Sequence, residues 1–232
     1  MDALDRMERF LRSRLRDAVF GTQDGLISTL GALTGIAEGT QDRGVVLIAG
    51  LVIITVESLS MAAGSYLSSK SQREYLERLL KEEEEAITKD PEGERRELHE
   101  MYRSRGFTPQ EIAVVEHRLF SDKELLFEDM AHKELGICPK NLEDPVGNAI
   151  VMGTAYVAGG LVPVLPYGFS PIRAAMPVSI LLALSALFLV GAVKGRLVRQ
   201  PWLRSGLEML AVAGLAALAG FVIGRIMRGW AG

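Results

Sequence analysis

Long apolar runs alternate with charged stretches along this chain. Five of the runs are near the length of about 20 residues that an α-helix needs to cross the hydrocarbon core of a bilayer. They cover residues 19–37, 45–67, 147–165, 176–193 and 207–227. The pattern therefore predicts an all-α integral membrane protein with five transmembrane helices.

The stretch between the second and third apolar runs is polar and acidic. Pro91, Gly106 and Pro109, and Ser121 interrupt its helical patterns, so about four helices are expected, the first continuing out of the second span. By composition it is too small and too charged to form an independent core, and we expect packing against a second copy to stabilise it. The predicted parts are an amphipathic N-terminal helix (1–17), spans one and two (18–69), a helical domain (70–145) and spans three to five (146–232).

Cations flank the apolar runs unevenly, and cytoplasmic loops are the ones that collect lysine and arginine. Three cationic stretches share one side of a five-span chain: residues 6–16, 70–73 and 194–204. The N-terminus and the acidic domain are therefore predicted to be cytoplasmic. A prokaryotic plasma membrane is the expected location.

Composition narrows the functional classes. The net charge is −3 and no basic stripe with interleaved aromatic residues is present, which argues against nucleic-acid binding. The one cysteine, Cys138, excludes an intramolecular disulfide. We find no nucleophile–base pairing and no phosphate-binding glycine loop, so the chain is not expected to be an enzyme.

Small residues recur at four-residue spacing within the apolar runs, and such pairs let helix backbones approach closely in lipid. The pairs are Gly31 with Gly35, Ser60 with Gly64, and Gly220 with Gly224. They predict close helix packing and are compatible with a dimer.

Two carboxylates lie inside predicted spans, where a charged group is costly and usually functional. Asp24 is in the first span and Glu57 is deep in the second, with Met61 one helical turn later. A carboxylate with a thioether suits a borderline-soft cation such as ferrous iron. The alternatives are that Asp24 lies near the membrane surface, that Glu57 is a hydrogen-bonded packing residue and that Met61 only fills a gap in the packing.

The acidic domain offers further candidate ligands. Glu82 to Glu85 form an unbroken run, Glu94 and Glu97 share a helix face, and Met130 is four residues before Glu134. Several carboxylates on one face can bind a divalent ion, whereas an acidic run alone is usually a solvated surface.

Several strings resemble the vacuolar iron transporter family. They are DAVFGTQDGLISTLGALTGIAEG in the first span, VESLSMAAGSYLSSKSQREY at the end of the second and SALFLVGAVKGRL in the fourth. The resemblance covers essentially the whole chain. It implies a homodimer with five spans per subunit, without a prosthetic group. It also implies export of cytoplasmic Fe²⁺, often with Mn²⁺ or other divalent ions, in exchange for protons.

The resemblance also assigns residues. It implies a transport pathway with Asp24, Glu57 and Met61. The implied metal ligands of the acidic domain are Glu82, Glu85, Glu94, Glu97, Met130 and Glu134, with the register of the first pair open by one residue. Many relatives carry an acidic residue where this chain has Ser65, which changes the number of carboxylates along the pathway.

Two other functions are compatible with these residues. In one, the spans only anchor a metal sensor or buffer, and in the other a transporter of the same fold carries another cargo such as manganese. The expected partners are divalent ions, protons, the lipid bilayer and a second copy of the chain.

Overall fold

The structure is a computed structural model that describes the backbone of residues 3–231 and the side chains of residues 14–140 and 142–230. This part of the chain is helical and contains no strand, which confirms the prediction of an all-α protein. The helices are α1 (Ala3–Thr40), α2 (Arg43–Lys89), α3 (Pro91–Ser104), α4 (Pro109–Phe120), α5 (Lys123–Lys133), α6 (Pro145–Phe169), α7 (Ile172–Leu197) and α8 (Trp202–Ala231), with a short 3-10 turn at Pro139–Asn141.

The chain divides into two compact units. The first, here called the bundle, comprises Met1–Leu67 and Pro145–Gly232, and the second unit comprises Ser68–Asp144. The predicted amphipathic helix over residues 1–17 is not a separate element, because α1 continues through it without a break. The side chains of its apolar positions 4, 7 and 11 lie outside the described residues.

Four helices within residues 3–231 are long and apolar enough to cross a membrane, namely α2, α6, α7 and α8. The first predicted span lies in α1, which is not one of the four. Polar residues such as Gln23 and Asp24 interrupt its apolar sequence. Nevertheless α1 packs against α6, α7 and α8. Its Leu26, Leu30 and Leu33 are at most 1% exposed, so α1 lies at the centre of the bundle.

The third predicted span ends at residue 165, but α6 continues through both Pro163 and Pro166 to Phe169. A proline in a spanning helix frees backbone carbonyls that neighbouring groups can satisfy. The Ser179 hydroxyl donates to the Pro163 carbonyl at 2.7 Å, and the Arg43 guanidinium donates to the carbonyl of Tyr167 at 2.6 Å. The carbonyls that the two prolines leave free are those of Gly159 and Val162, four residues earlier. The bonds from Ser179 and Arg43 instead connect α6 to α7 and to the start of α2. The helix ends one turn later than the sequence suggests.

Glycines hold α1 and α8 together. A Cβ atom placed on Gly220 would overlap the Gly31 carbonyl, and one placed on Gly224 would overlap the Gly35 carbonyl. The prediction of close helix packing at these two pairs is confirmed. The third pair behaves differently, since Ser60 is exposed and a Cβ on Gly64 would meet nothing within 4 Å in this chain.

The second unit has an apolar core, contrary to the expectation that it is too charged to form one. Leu98, Ile112 and Met130 are at most 1% exposed in the middle of this core. Each of its helices carries few apolar residues, but side-chain caps from Asp90, Thr108 and Asp122 begin α3, α4 and α5 so that their apolar faces meet. Burial in such a small core depends on helix placement, which composition does not report.

Candidate metal sites

The register between helices brings Asp24 and Glu57 to the same level of the bundle. A Cβ on Gly25 of α1 would overlap the backbone of Tyr156 in α6. The α2 helix runs the other way along α6, because Ile54 packs at Gly160 and Ala62 packs at Gly153. Both carboxylates therefore lie beside the middle of α6, whose midpoint is near Tyr156.

Asp24 is half-buried and interacts electrostatically with Glu57, which is exposed on the surface of this single chain. Its position beside the middle of α6 argues against the alternative that Asp24 lies near the end of a span. Met61 is half-buried one turn beyond Glu57 on the same face of α2, and Ser65 follows after another turn. This face therefore presents a carboxylate, a thioether and a hydroxyl in order.

Sequence reasoning missed two hydroxyl groups at this level. Tyr156 of α6 is completely buried, and its hydroxyl lies 2.6 Å from the hydroxyl of Ser28 in α1. The phenol interacts electrostatically with both Asp24 and Glu57. A single tyrosine in an apolar span is a weak signal, and Ser28 shares a face with Asp24 only by its four-residue spacing.

The second unit contains a separate carboxylate cluster, here called the glutamate cluster. Glu83 of α2, Glu94 of α3 and Glu134 at the end of α5 each offer an oxygen atom within 4.8 Å of the others. Oxygens bound to one ion at about 2.1 Å can be at most about 4.2 Å apart, so small side-chain rotations would close the cluster on a cation. Its chemistry suits a divalent ion that prefers oxygen ligands.

Burial and mutual repulsion make the glutamate cluster unfavourable without a cation. Burial, followed by the charges of Glu134 and Glu94, raises the pKa of Glu83 to about 7. Burial and the neighbouring Glu97 also raise the pKa of Glu94 and of Glu134. One carboxylate oxygen each of Glu83 and Glu94 is buried without a hydrogen-bond partner in the protein. A bound cation would satisfy these oxygens and remove the repulsion.

The predicted first pair of ligands, Glu82 and Glu85, lies outside the glutamate cluster. The residue of α2 that contributes to the cluster is Glu83. Glu82 is 61% exposed and faces Arg78, while Glu85 pairs with Lys81 and Lys89. The hydrogen bond from Lys89 lowers the pKa of Glu85. The register was open by one residue, and the apolar stripe of α2 could have fixed it. Glu83 shares the stripe with Leu80 and Ile87, three residues before it and four after it.

The remaining predicted ligands lie around the glutamate cluster. Glu97 is exposed and its charge acts on Glu83, Glu94 and Glu134. Met130, four residues before Glu134, is completely buried in the apolar core with Leu98. The structure therefore brings together Glu94, Glu97 and Glu134 of the predicted set and places the Met130 thioether in the core.

Comparison with known proteins gives consistent matches over most of the chain. A family model described as the VIT family matches residues 15–225. The chain is 33% identical over 208 residues to vacuolar iron transporter 2 of Oryza sativa subsp. japonica, covering 89% of this chain and 85% of that protein. It is 30% identical over 215 residues to vacuolar iron transporter 1 of Arabidopsis thaliana, covering 92% and 86%. A fungal relative, vacuolar iron transporter cccA of Arthroderma benhamiae, is 27% identical and covers 90% and 78%.

Proposed function

Because this chain belongs to the VIT family, we propose that it is a multi-pass membrane transporter that carries ferrous iron. The observation that supports the proposal is that Asp24 and Glu57 lie at one level of the helical bundle, near the middle of α6, and interact electrostatically. A passive membrane anchor has no need of two carboxylates at that depth, where each is costly. The relatives are named as transporters, in agreement with the prediction that the chain is not an enzyme.

The proposed topology has five spans, with α1 as the first. Four candidate spans are evident from length and composition. Support for the fifth comes from packing, since α1 is surrounded by three of them and its Leu26 and Leu30 are at most 1% exposed. A helix enclosed by spanning helices shares their depth. Polar groups on such a helix face neighbouring helices, which suits a transport pathway.

In the proposed mechanism, the glutamate cluster captures divalent ions and the bundle transports them. Three carboxylates bind Fe²⁺ and Mn²⁺ with little discrimination. In the bundle, Asp24 and Glu57 are joined by the thioether of Met61, a softer ligand that favours Fe²⁺ over Ca²⁺ and Mg²⁺. We propose the bundle as the selective step.

The direction of metal transport and its coupling to protons are proposed on chemical grounds. Carboxylates must lose their protons to bind a metal ion, so protons and metal compete for Asp24 and Glu57. Protonation from the far side would release the ion there and drive export from the cytoplasm. The cationic flanks of the spans support a cytoplasmic N-terminus and a cytoplasmic second unit.

We further propose a homodimer, which the exposed position of Glu57 on the single chain supports. A second copy would cover this carboxylate and the exposed Ser60 and Gly64 on the same helix. The relatives named above are eukaryotic and are called vacuolar, so the expected prokaryotic plasma membrane finds no support among them. That location stays a prediction from the sequence.

The test is metal flux in proteoliposomes that hold a dye sensitive to Fe²⁺, with a proton gradient across the membrane. Wild-type protein should take up Fe²⁺, and D24N and E57Q should each reduce the initial rate at least tenfold. The matched control is E208Q, which alters an exposed carboxylate of α8 that pairs with Arg204. Equal uptake by wild type and both pathway variants would refute the pathway.

The alternative function is a membrane-anchored metal sensor or buffer, which the glutamate cluster alone would suit. Binding and flux separate the two functions. A protein that binds Fe²⁺ in detergent but gives no uptake above empty liposomes would be a buffer. Competition by Mn²⁺ in the same flux assay reports whether Mn²⁺ is a second cargo.

A further inference from the structure

Residues 194–204, here called the α7–α8 surface, combine cationic and apolar side chains at one end of the bundle. They comprise the last turn of α7, a short connection and the first turn of α8. The cations are Lys194, Arg196, Arg199 and Arg204. The exposed large apolar residues are Leu197, Val198, Trp202 and Leu203. Apolar side chains interleaved with arginines suit the boundary between lipid headgroups and acyl chains, where both kinds of group are satisfied.

The start of α8 is fixed by close packing against α7. A Cβ atom on Gly195 would lie 3.0 Å from the Cα atom of Trp202, so only a glycine permits this approach. The Trp202 ring packs edge-on against Phe188 of α7, with the ring centroids 6.1 Å apart. The Arg196 guanidinium lies over the same ring, 5.8 Å from its centroid. Trp202 is therefore held at the end of a span, the level at which tryptophan is enriched in membrane proteins.

Most of the positive charge on the α7–α8 surface is not neutralised by the protein. Arg204 pairs with Glu208 at 3.2 Å. No carboxylate within residues 14–140 or 142–230 forms an ion pair with Lys194, Arg196 or Arg199. An arginine can donate two parallel N–H bonds to the oxygens of one phosphate group. The surface therefore presents unpaired phosphate donors beside exposed apolar side chains.

Arg199 occupies a backbone position that its side chain does not favour. Its φ is +56°, in the left-handed region that favours glycine. It directly follows Val198, the C-cap residue of α7, and glycine is the usual residue at this place after a helix. The turn therefore does not need an arginine to form. Replacing Arg199 with glycine would remove the charge and keep the turn, so charge and backbone can be tested separately.

We propose that the α7–α8 surface binds the phosphate groups of anionic phospholipids in the adjacent membrane leaflet. The arginines contact the phosphates, and Trp202 lies at the level of the headgroups. Helix α8 runs in the same direction as α1, because Gly220 packs at Gly31 and Gly224 packs at Gly35. The surface thus lies at the end of the bundle where α1 begins. In the proposed topology this end is cytoplasmic, and the cytoplasmic leaflet is the one that carries anionic lipids.

The experiment uses the two tryptophans of the full chain as reporters, Trp202 at this surface and Trp230 near the other end of α8. W230F leaves only the first reporter and W202F leaves only the second. Each protein is reconstituted into vesicles of phosphatidylcholine with a minority of phosphatidylglycerol, and only one of the two lipids carries brominated acyl chains. Fluorescence quenching by each brominated lipid then gives the preference for phosphatidylglycerol beside that tryptophan.

The expected result is a local preference that depends on charge. Each lysine or arginine near an anionic bilayer strengthens association about fivefold, so Trp202 should report a preference of at least about fivefold. R199G should reduce this preference about fivefold, and R199K should retain it. The thermal midpoint of R199G should not fall, because glycine suits the left-handed backbone. The preference reported by Trp230 should be the same with and without R199G.

Several outcomes would overturn the inference. Equal quenching of Trp202 by the two brominated lipids would show that the surface does not select anionic lipids and would leave it to a partner of another kind. Loss of the preference in both R199G and R199K would assign the effect to the turn rather than to the charge. Loss of the preference in millimolar inorganic phosphate would indicate a soluble ligand instead of a lipid. The assay needs neither Fe²⁺ nor a proton gradient, so its result is independent of the proposed transport function.

Discussion

Glu83 of α2 and Glu94 of α3 hold carboxylate oxygens within 4.8 Å of each other across the junction between the two helices. Asp90 makes this approach possible, because it ends α2 and accepts a hydrogen bond from the Gly93 N–H at 2.9 Å to begin α3. Two buried acidic groups at this distance repel each other unless a proton or a cation lies between them. The predictions for the second unit follow from this relationship.

The first prediction concerns metal binding by the second unit. Replacing Glu83 with Gln removes one charged ligand, and the affinity for Mn²⁺ or Fe²⁺ should fall at least tenfold, or about 1.4 kcal/mol. The measurement is calorimetric titration of the full chain in detergent. The adjacent variant E82Q alters an exposed residue paired with Arg78 and should bind as wild type does. A larger loss in E82Q than in E83Q would show that the register is wrong.

The second prediction concerns pH and stability without metal. The pKa of Glu83 is raised from its usual 4.5 to about 7, so the folded state holds a proton that the unfolded state has released between these values. This contribution to stability is fully present below about pH 4.5 and is lost as the pH rises through about 7. The hydrogen-exchange protection of residues 68–144, corrected for the intrinsic rise of amide exchange rates with pH, should therefore fall between pH 5 and pH 8.

Two controls test the cause of this pH dependence. E83Q cannot ionise, so its second unit should lose less stability over the same interval, and its metal-free form at pH 8 should be more stable by roughly 1–3 kcal/mol. Saturating Mn²⁺ should protect the wild-type unit at pH 8. Identical exchange of wild type and E83Q at every pH would contradict the assignment to Glu83.

The third prediction concerns the packing of α1 against α8. A valine at position 220 would overlap the Gly31 backbone, and inserting atoms into such a contact costs about 1–3 kcal/mol or more. G220V should lower the thermal midpoint of the protein in detergent and reduce the yield of folded chain. Gly214 of the same helix is the control, because a Cβ there meets nothing within 4 Å. Equal stability of G220V and G214V would argue against this helix contact.

The fourth prediction concerns the end of α6. Arg43 donates to the carbonyls of Tyr167 and Gly168, and hydrogen bonds from a charged donor contribute roughly 1.5–3 kcal/mol. R43M should lower the thermal midpoint in detergent, whereas R173M, at an exposed arginine near the start of α7, should have little effect. If both variants unfold at the same temperature as wild type, the hydrogen bonds from Arg43 do not stabilise the end of α6.

Local patterns predicted what depends on local physics. The apolar runs identified the four candidate spans, because hydropathy over about 20 residues determines whether a helix can cross a bilayer. The breakers at Pro91 and Pro109 marked the starts of α3 and α4. The same rule failed at Pro166, where α6 packs against α1, a helix distant in sequence, and continues to Phe169.

The candidate sites show the same division. Asp24 and Glu57 stood out in the sequence because a charge in an apolar run is costly wherever its neighbours lie. Successive residues of a helix point about 100° apart. Whether Glu83 or Glu82 faces α3 and α5 therefore depends on how α2 is rotated about its axis, which only the structure shows. The position of Tyr156 could not be predicted from the sequence, because its hydroxyl contacts Ser28 of another helix only in the folded bundle.

The sequence by itself determined that the protein is helical, has apolar spans and carries carboxylates both within and between them. Each of these properties follows from composition over a short window. Only the tertiary structure decided which carboxylates meet, which glycines let α1 lie at the centre of the bundle and which hydroxyl joins Asp24. Those relationships depend on register between helices distant in the chain, and register is set by packing over many side chains at once.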